Sequence, residues 1–235
     1  MRLFLLAAAM ATVAAVGSAR DPLSADALKP AIDADTAFLT KTLEAGSVPK
    51  NAVKTVKTAA MLLALAGQQS GNGALQEAAL AVATSVAGKD MAAAKTAAGK
   101  LAGAKGGEPK KIDLHTQAGF DLDTLMSAYR PTKTGGLNLE KDMKDQGKKV
   151  TDVPLAAAVG AQNALIAAYA LKFPAAGATG PKLAQWEKLC KEAGELGTAI
   201  ATEGAKGAKA DKDVLQKKLK ALELNCSNCH SAFRD

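Results

Sequence analysis

Toward the end of the chain, apolar or thiol side chains recur at Leu215, Leu219, Leu222, Cys226, Cys229 and Phe233, in steps of four, three, four, three and four. That rhythm is one stripe of an amphipathic helix and is incompatible with a strand, whose side chains repeat every second residue. Whatever this chain folds into must bury a helix with two cysteines on its inner face. Around them the order is Cys226-Ser227-Asn228-Cys229-His230: two thiols one turn apart, then an imidazole.

The remaining sequence points the same way. Aromatic residues make up 3% of the chain and tryptophan occurs once, at Trp186, while few segments alternate Val, Ile or Tyr with polar residues. Strands have little support, so the expected class is all-α. Met1 to Ala19 reads as a secretory signal peptide, with Arg2 at its start, an apolar core from Leu3 to Val16 and small residues at Gly17-Ser18-Ala19. The expected location is periplasmic or otherwise exported. The longest apolar run thereafter, near Leu155 to Leu171, is interrupted by Gln162 and Asn163, so a soluble rather than a membrane-spanning protein is expected.

Helix signals divide the chain into two segments. In residues 20–103, helices are expected from a Ser24 or Asp26 cap to about Leu43, over Lys50 to Ala66, over Ala74 to Ala87 and over Asp90 to Leu101. Residues 104–111 have linker composition. In 112–235, helices are expected over Phe120 to Tyr129, from a Thr151 or Asp152 cap to about Phe173, over Lys182 to Thr202, and from Asp211 through the cysteine motif. A long loop is expected through Gly135-Gly136 to Lys149. Two sets of four helices suggest a duplication: laying Lys89-Asp90-Met91 on Lys212-Asp213-Val214 puts Gly103, Gly106 and Gly107 opposite Cys226, Cys229 and His230. The first copy would then carry no counterpart of the motif.

C-x-x-C-H is the attachment pattern of c-type haem. Each thiol can form a thioether with a haem vinyl group, and the following histidine reaches the iron. One covalently attached haem c is therefore expected on Cys226 and Cys229, with His230 as an iron ligand. Two other readings use the same residues. The cysteines could form a disulfide, which leaves His230 without a role, or join His230 and a fourth ligand such as Cys190 or His115 around zinc. Either would make the chain a structural module. Cys190 otherwise reads as a buried apolar thiol.

With Ser231-Ala232-Phe233-Arg234 following the motif, the chain resembles the class II cytochromes c, the cytochrome c prime superfamily, over about residues 112–235. The resemblance implies an antiparallel four-helix bundle carrying haem c, preceded here by a second helical bundle without haem. It implies that Cys226 and Cys229 hold the haem and that His230 is the proximal iron ligand. Low-spin members of the family bind iron through a methionine on the first bundle helix; high-spin members leave that position open. Met126, on the first expected helix of this segment, is the candidate distal ligand, and packing as core filler is its alternative. Arg130, one turn later, is the candidate propionate contact, or a solvated arginine. The Thr134-Gly135-Gly136-Leu137 segment is read as folding over the haem edge or as an ordinary loop. His115 and Met143 are outlying ligand candidates.

The implied function is that of an electron carrier acting with redox partner proteins. A five-coordinate haem protein that binds small gases such as nitric oxide is the alternative. No serine–histidine–acid arrangement stands out, so an enzyme is not expected. A formal charge of +7, spread along helices poor in aromatics, argues against nucleic acid and for mild steering of an acidic partner. A homodimer is compatible with the resemblance.

Overall fold

A computed structural model describes residues 23–110 and 121–233, apart from the Asn51 side chain. The signal-peptide reading of Met1 to Ala19, and the residues His115, Phe120 and Arg234, lie outside the described residues. All described secondary structure is helical. In the first segment, α1 (Ala25–Glu44) starts where the Ser24 hydroxyl accepts from the Ala27 N–H, an N-cap that satisfies one of the helix's free donors. Then come α2 (Val53–Gln69), α3 (Gly73–Ala87) and α4 (Met91–Leu101), the last two capped by Asn72 and Asp90.

The second segment departs from the expected plan. Its first helix, α5 (Leu122–Met126), is five residues long and passes into a 3-10 turn over Ser127–Tyr129. The region expected as a long loop contains α6 (Leu139–Lys148). Its only apolar anchors, Leu139 and Met143, are buried, while Lys141–Asp145 and Lys144–Glu140 pair one turn apart on its outer face. Two apolar residues beside Gly135-Gly136 are too faint a stripe to read as a helix. Three long helices follow: α7 (Val153–Lys172), α8 (Pro181–Gly204) and α9 (Lys212–Phe233), with Asp152 capping α7 and Pro154 in its first turn.

The expected repeat finds no matching pair of helices at its end. α4 stops at Leu101 after eleven residues, against 22 for α9, and Gly103, Gly106 and Gly107 lie beyond it. The two segments share one apolar core, in which Leu28, Leu39 and Met61 belong to the same cluster as Ile166, Leu215 and Leu219. α1 packs on α7. Across that seam Gln162 Nε2 donates to the buried Asp35 carboxylate at 2.8 Å.

α7 and α8 cross closely because small residues face each other. A Cβ on Gly160 would fall 2.7 Å from the Ala201 backbone nitrogen, and one on Gly197 would fall 2.7 Å from the Gly160 carbonyl. By length and composition α7 could cross a membrane, yet 78% of its apolar stretch is buried inside the protein. It packs against α1, α2, α5, α6, α8 and α9, while α3 and α4 pack on α1, α2 and each other.

Candidate functional site

One end of the second segment encloses a small cavity of about 50 Å³, walled by four elements. Met126 and Tyr129 come from the α5 turn, Asn163, Ile166, Ala167 and Ala170 from α7, and Trp186, Leu189, Cys190 and Ala193 from α8. The fourth wall is α9, with Asn225, Cys226, Cys229 and His230. Leu215, Leu219 and Leu222 are fully buried and seat this helix, which carries the motif into the cavity one and two turns further on. Cys226 and Cys229 are half-buried, and His230 lies at the exposed rim.

Burial governs the chemistry of these groups. The Cys226 thiol is pushed up to about 12, chiefly because the thiolate would be poorly solvated there, and further by Cys229, Glu140 and Glu223 nearby. Burial also raises Cys229. Both are neutral thiols at neutral pH. Tyr129 is held well above the ordinary phenol range, first by burial and then by Cys226, Cys229 and Cys190. Its Oη donates to Asn163 Oδ1 at 2.7 Å, and Asn163 Nδ2 donates to the Val159 carbonyl at 2.8 Å. Trp186 Nε1 donates to the Ala170 carbonyl at 2.8 Å, and its ring meets Phe233 edge-on at 5.1 Å between centroids. Asn225 Nδ2 reaches Glu192 on α8 at 3.0 Å, tying the start of the motif to the neighbouring helix.

Met126 is thus brought to the same cavity as Cys226, Cys229 and His230, although a hundred residues separate it from them. Arg130 is not. The expectation that it points with Met126 rested on the one-turn spacing of the two residues. The turn ends at Tyr129, Arg130 is extended (φ −70°, ψ 155°), and its exposed guanidinium lies 3.8 Å from Asp123. The Thr134–Leu137 segment does not line the cavity either. It folds back on the α5 turn, with Leu137 N donating to the Ala128 carbonyl, and a Cβ on Gly136 would fall 1.9 Å from the Arg130 carbonyl. Met143 is buried on α6, away from the cavity lining.

The sequence by itself signals no role at the site for Tyr129 or Trp186. One signal pointed to Asn163: a Gln-Asn pair in the middle of the most apolar helix must find buried partners.

No disulfide links Cys190, Cys226 or Cys229 in this structure. Among the described residues, which do not include His115, no three His, Cys, Asp or Glu side chains gather as a metal site. For a covalently attached haem the donor set fits in kind. Two thiols stand one turn apart with an adjacent imidazole, a thioether lines the same cavity, and most other walls are apolar. The present cavity is far smaller than the roughly 300–1,000 Å³ of pockets that enclose sizeable ligands, so a macrocycle would have to spread these walls. The chain matches no family model, no curated protein and no solved structure.

Proposed function

We propose that this chain is an exported monohaem c-type cytochrome, an electron carrier of the class II kind. The observation that carries this reading is the convergence of Met126, Cys226, Cys229 and His230 on one largely apolar cavity. Residues 112–235 would supply the haem-bearing bundle, with the α5 turn, α7, α8 and α9 as its four sides. Cys226 and Cys229 would hold the group through thioethers, His230 would be the proximal ligand, and Met126 the distal one. When bound, haem c supplies a one-electron ferric–ferrous couple, whose potential a thioether ligand raises.

The chain's own residues do the rest. Ile166, Ala167, Ala170 and Leu189 keep water from the cavity, and Trp186 is pinned by its hydrogen bond to Ala170. Asn225, bonded to Glu192, orients the first turn of the motif. The positive surface steers an acidic redox partner toward the protein.

A second reading, five-coordinate iron open to small gases, draws on Met126 also packing against the main core as an apolar side chain would. Expression with the c-type maturation machinery separates the readings. The electron carrier retains haem through acid–acetone extraction and shows sharp, split ferrous bands that carbon monoxide barely alters. Broad bands that shift with carbon monoxide would favour the open site. Trp186, the single tryptophan, lines the cavity, so its emission should be strongly quenched in loaded protein relative to haem-free protein. Protein without covalent haem would sink both readings.

A further inference from the structure

The stretch that carries Met126 cannot place itself. Five residues of α5 and one 3-10 turn are far below the length at which an isolated helix persists. It is held by the burial of Leu125 and Ala128, by the Lys54–Asp123 ion pair and the Leu137 N–H bond to the Ala128 carbonyl, and by two polar side-chain contacts that flank Met126 most closely. One is made by the first segment. Thr58 of α2 is fully buried, with Oγ1 2.9 Å from the Thr124 carbonyl and 2.8 Å from Ser127 Oγ. Ser127 Oγ in turn lies 2.6 Å from the Thr124 carbonyl, and Thr58 Oγ1 is 2.9 Å from its own helix's Lys54 carbonyl, which fixes its rotamer. The other contact is made by α7, where Tyr129 Oη donates to Asn163 at 2.7 Å. Met126 immediately precedes Ser127 and comes three residues before Tyr129, so both anchors fall within one turn of it.

We infer that the first segment, through Thr58, is the positioning element for Met126, with the Tyr129–Asn163 bond as the second anchor. This rests on the haem reading of the cavity given above. A methionine side chain has three rotatable bonds and settles into many shapes. It competes for an iron coordination position only if its backbone is held at the right depth, the task that supporting hydrogen bonds perform for metal ligands generally. The segment without a haem motif therefore acts on the site by holding the turn opposite the motif helix.

The test uses the full haem-loaded chain and reads carbon monoxide affinity of the ferrous protein, with Met126→Ala as the open reference. Thr58→Val keeps the shape and removes the hydroxyl. It should raise the affinity by roughly five- to tenfold, the effect of losing one buried hydrogen bond from the closed state. Tyr129→Phe should do likewise, and Thr58→Ser should restore wild-type behaviour. Should Thr58→Val fail to fold, Ser127→Ala removes the Thr58–Ser127 part of the contact and should raise the affinity in the same direction by a smaller factor. In haem-free protein, methyl NMR of the methionines, with the Met126 signal identified by its loss in Met126→Ala, should show that signal shift and narrow in Thr58→Val. A lowered melting temperature with carbon monoxide affinity and methyl signal both unchanged would make Thr58 merely structural and overturn the inference. Wild-type protein that binds carbon monoxide as tightly as Met126→Ala would also overturn it, while leaving a five-coordinate haem site standing. Absence of covalent haem would overturn the haem reading and this inference with it.

Discussion

Burial gives the two motif thiols an unusual character for surface-reaching cysteines. Each lies one turn or two beyond the leucines that seat α9, and Cys226 is pushed up to about 12. Thiolate is the reactive form, so both should resist alkylation in folded, haem-free protein. Iodoacetamide at pH 8 should modify them about tenfold or more slowly than the same chain in denaturant, with Cys226 the slower of the two. Equal rates in both conditions would show that the cavity does not shield them. The positions of these thiols were legible, because an unbroken stripe of six residues announces both the helix and its buried face. Their chemical neighbours were not. Tyr129 and Asn163 are 34 residues apart and meet only because the α5 turn lies across α7, a tertiary fact that no local period encodes.

Among the elements, the α7–α8 crossing depends on glycine in a way that reverses the usual expectation. Within a helix, replacing glycine by alanine ordinarily gains about 1 kcal/mol. At Gly160 the new Cβ would meet Ala201 N and Ile200 Cβ at 2.7 Å, closer than van der Waals contact permits, and backbone would have to move. Gly160→Ala should therefore destabilise the protein by roughly 1–3 kcal/mol, as overpacked cores do. Urea unfolding provides the measurement, and a gain in stability would refute the close crossing. Helix boundaries at this scale were legible where caps mark them, at Ser24, Asp90 and Asp152. α6 was missed because charged i,i+4 pairs, rather than an apolar stripe, fill most of its length. The expected helix to Tyr129 does end there, but its last three residues tighten into a 3-10 turn that helical register alone does not reveal.

For the whole molecule, the seam between α1 and α7 carries a buried acid. Asp35 is pushed up to about 7 by burial, partly offset by the hydrogen bond from Gln162. Its ordinary value is 3.8, so between about 4 and 7 the folded protein holds a proton that the unfolded chain releases. The stability this contributes is full below about pH 4, falls as pH rises and is gone above about 7. The difference in unfolding free energy between wild type and Asp35→Asn should therefore change steadily between pH 4 and 7 and stay flat above. Trp186 fluorescence in denaturant would follow it. Because Asp35 lies on α1 and Trp186 on α8, the same signal reports whether the shared core couples the two segments. A flat difference across that range would mean that the seam admits water.

The order of the cavity's walls along the chain has a consequence for how the site comes into being. Entering its folding compartment N-terminus first, the chain presents the α5 turn, α7 and α8 before α9, and the motif occupies the last turns of α9. Thr58, which holds the turn bearing Met126, is delivered earlier still. Three sides of the cavity can thus be assembled while both thiols are still on an undocked α9, accessible to whatever modifies them. Docking of one helix then closes the site, and the seating residues Leu215, Leu219 and Leu222 emerge just ahead of the thiols they will bury. The half-buried thiols of the motif are thus the last part of the cavity to be enclosed.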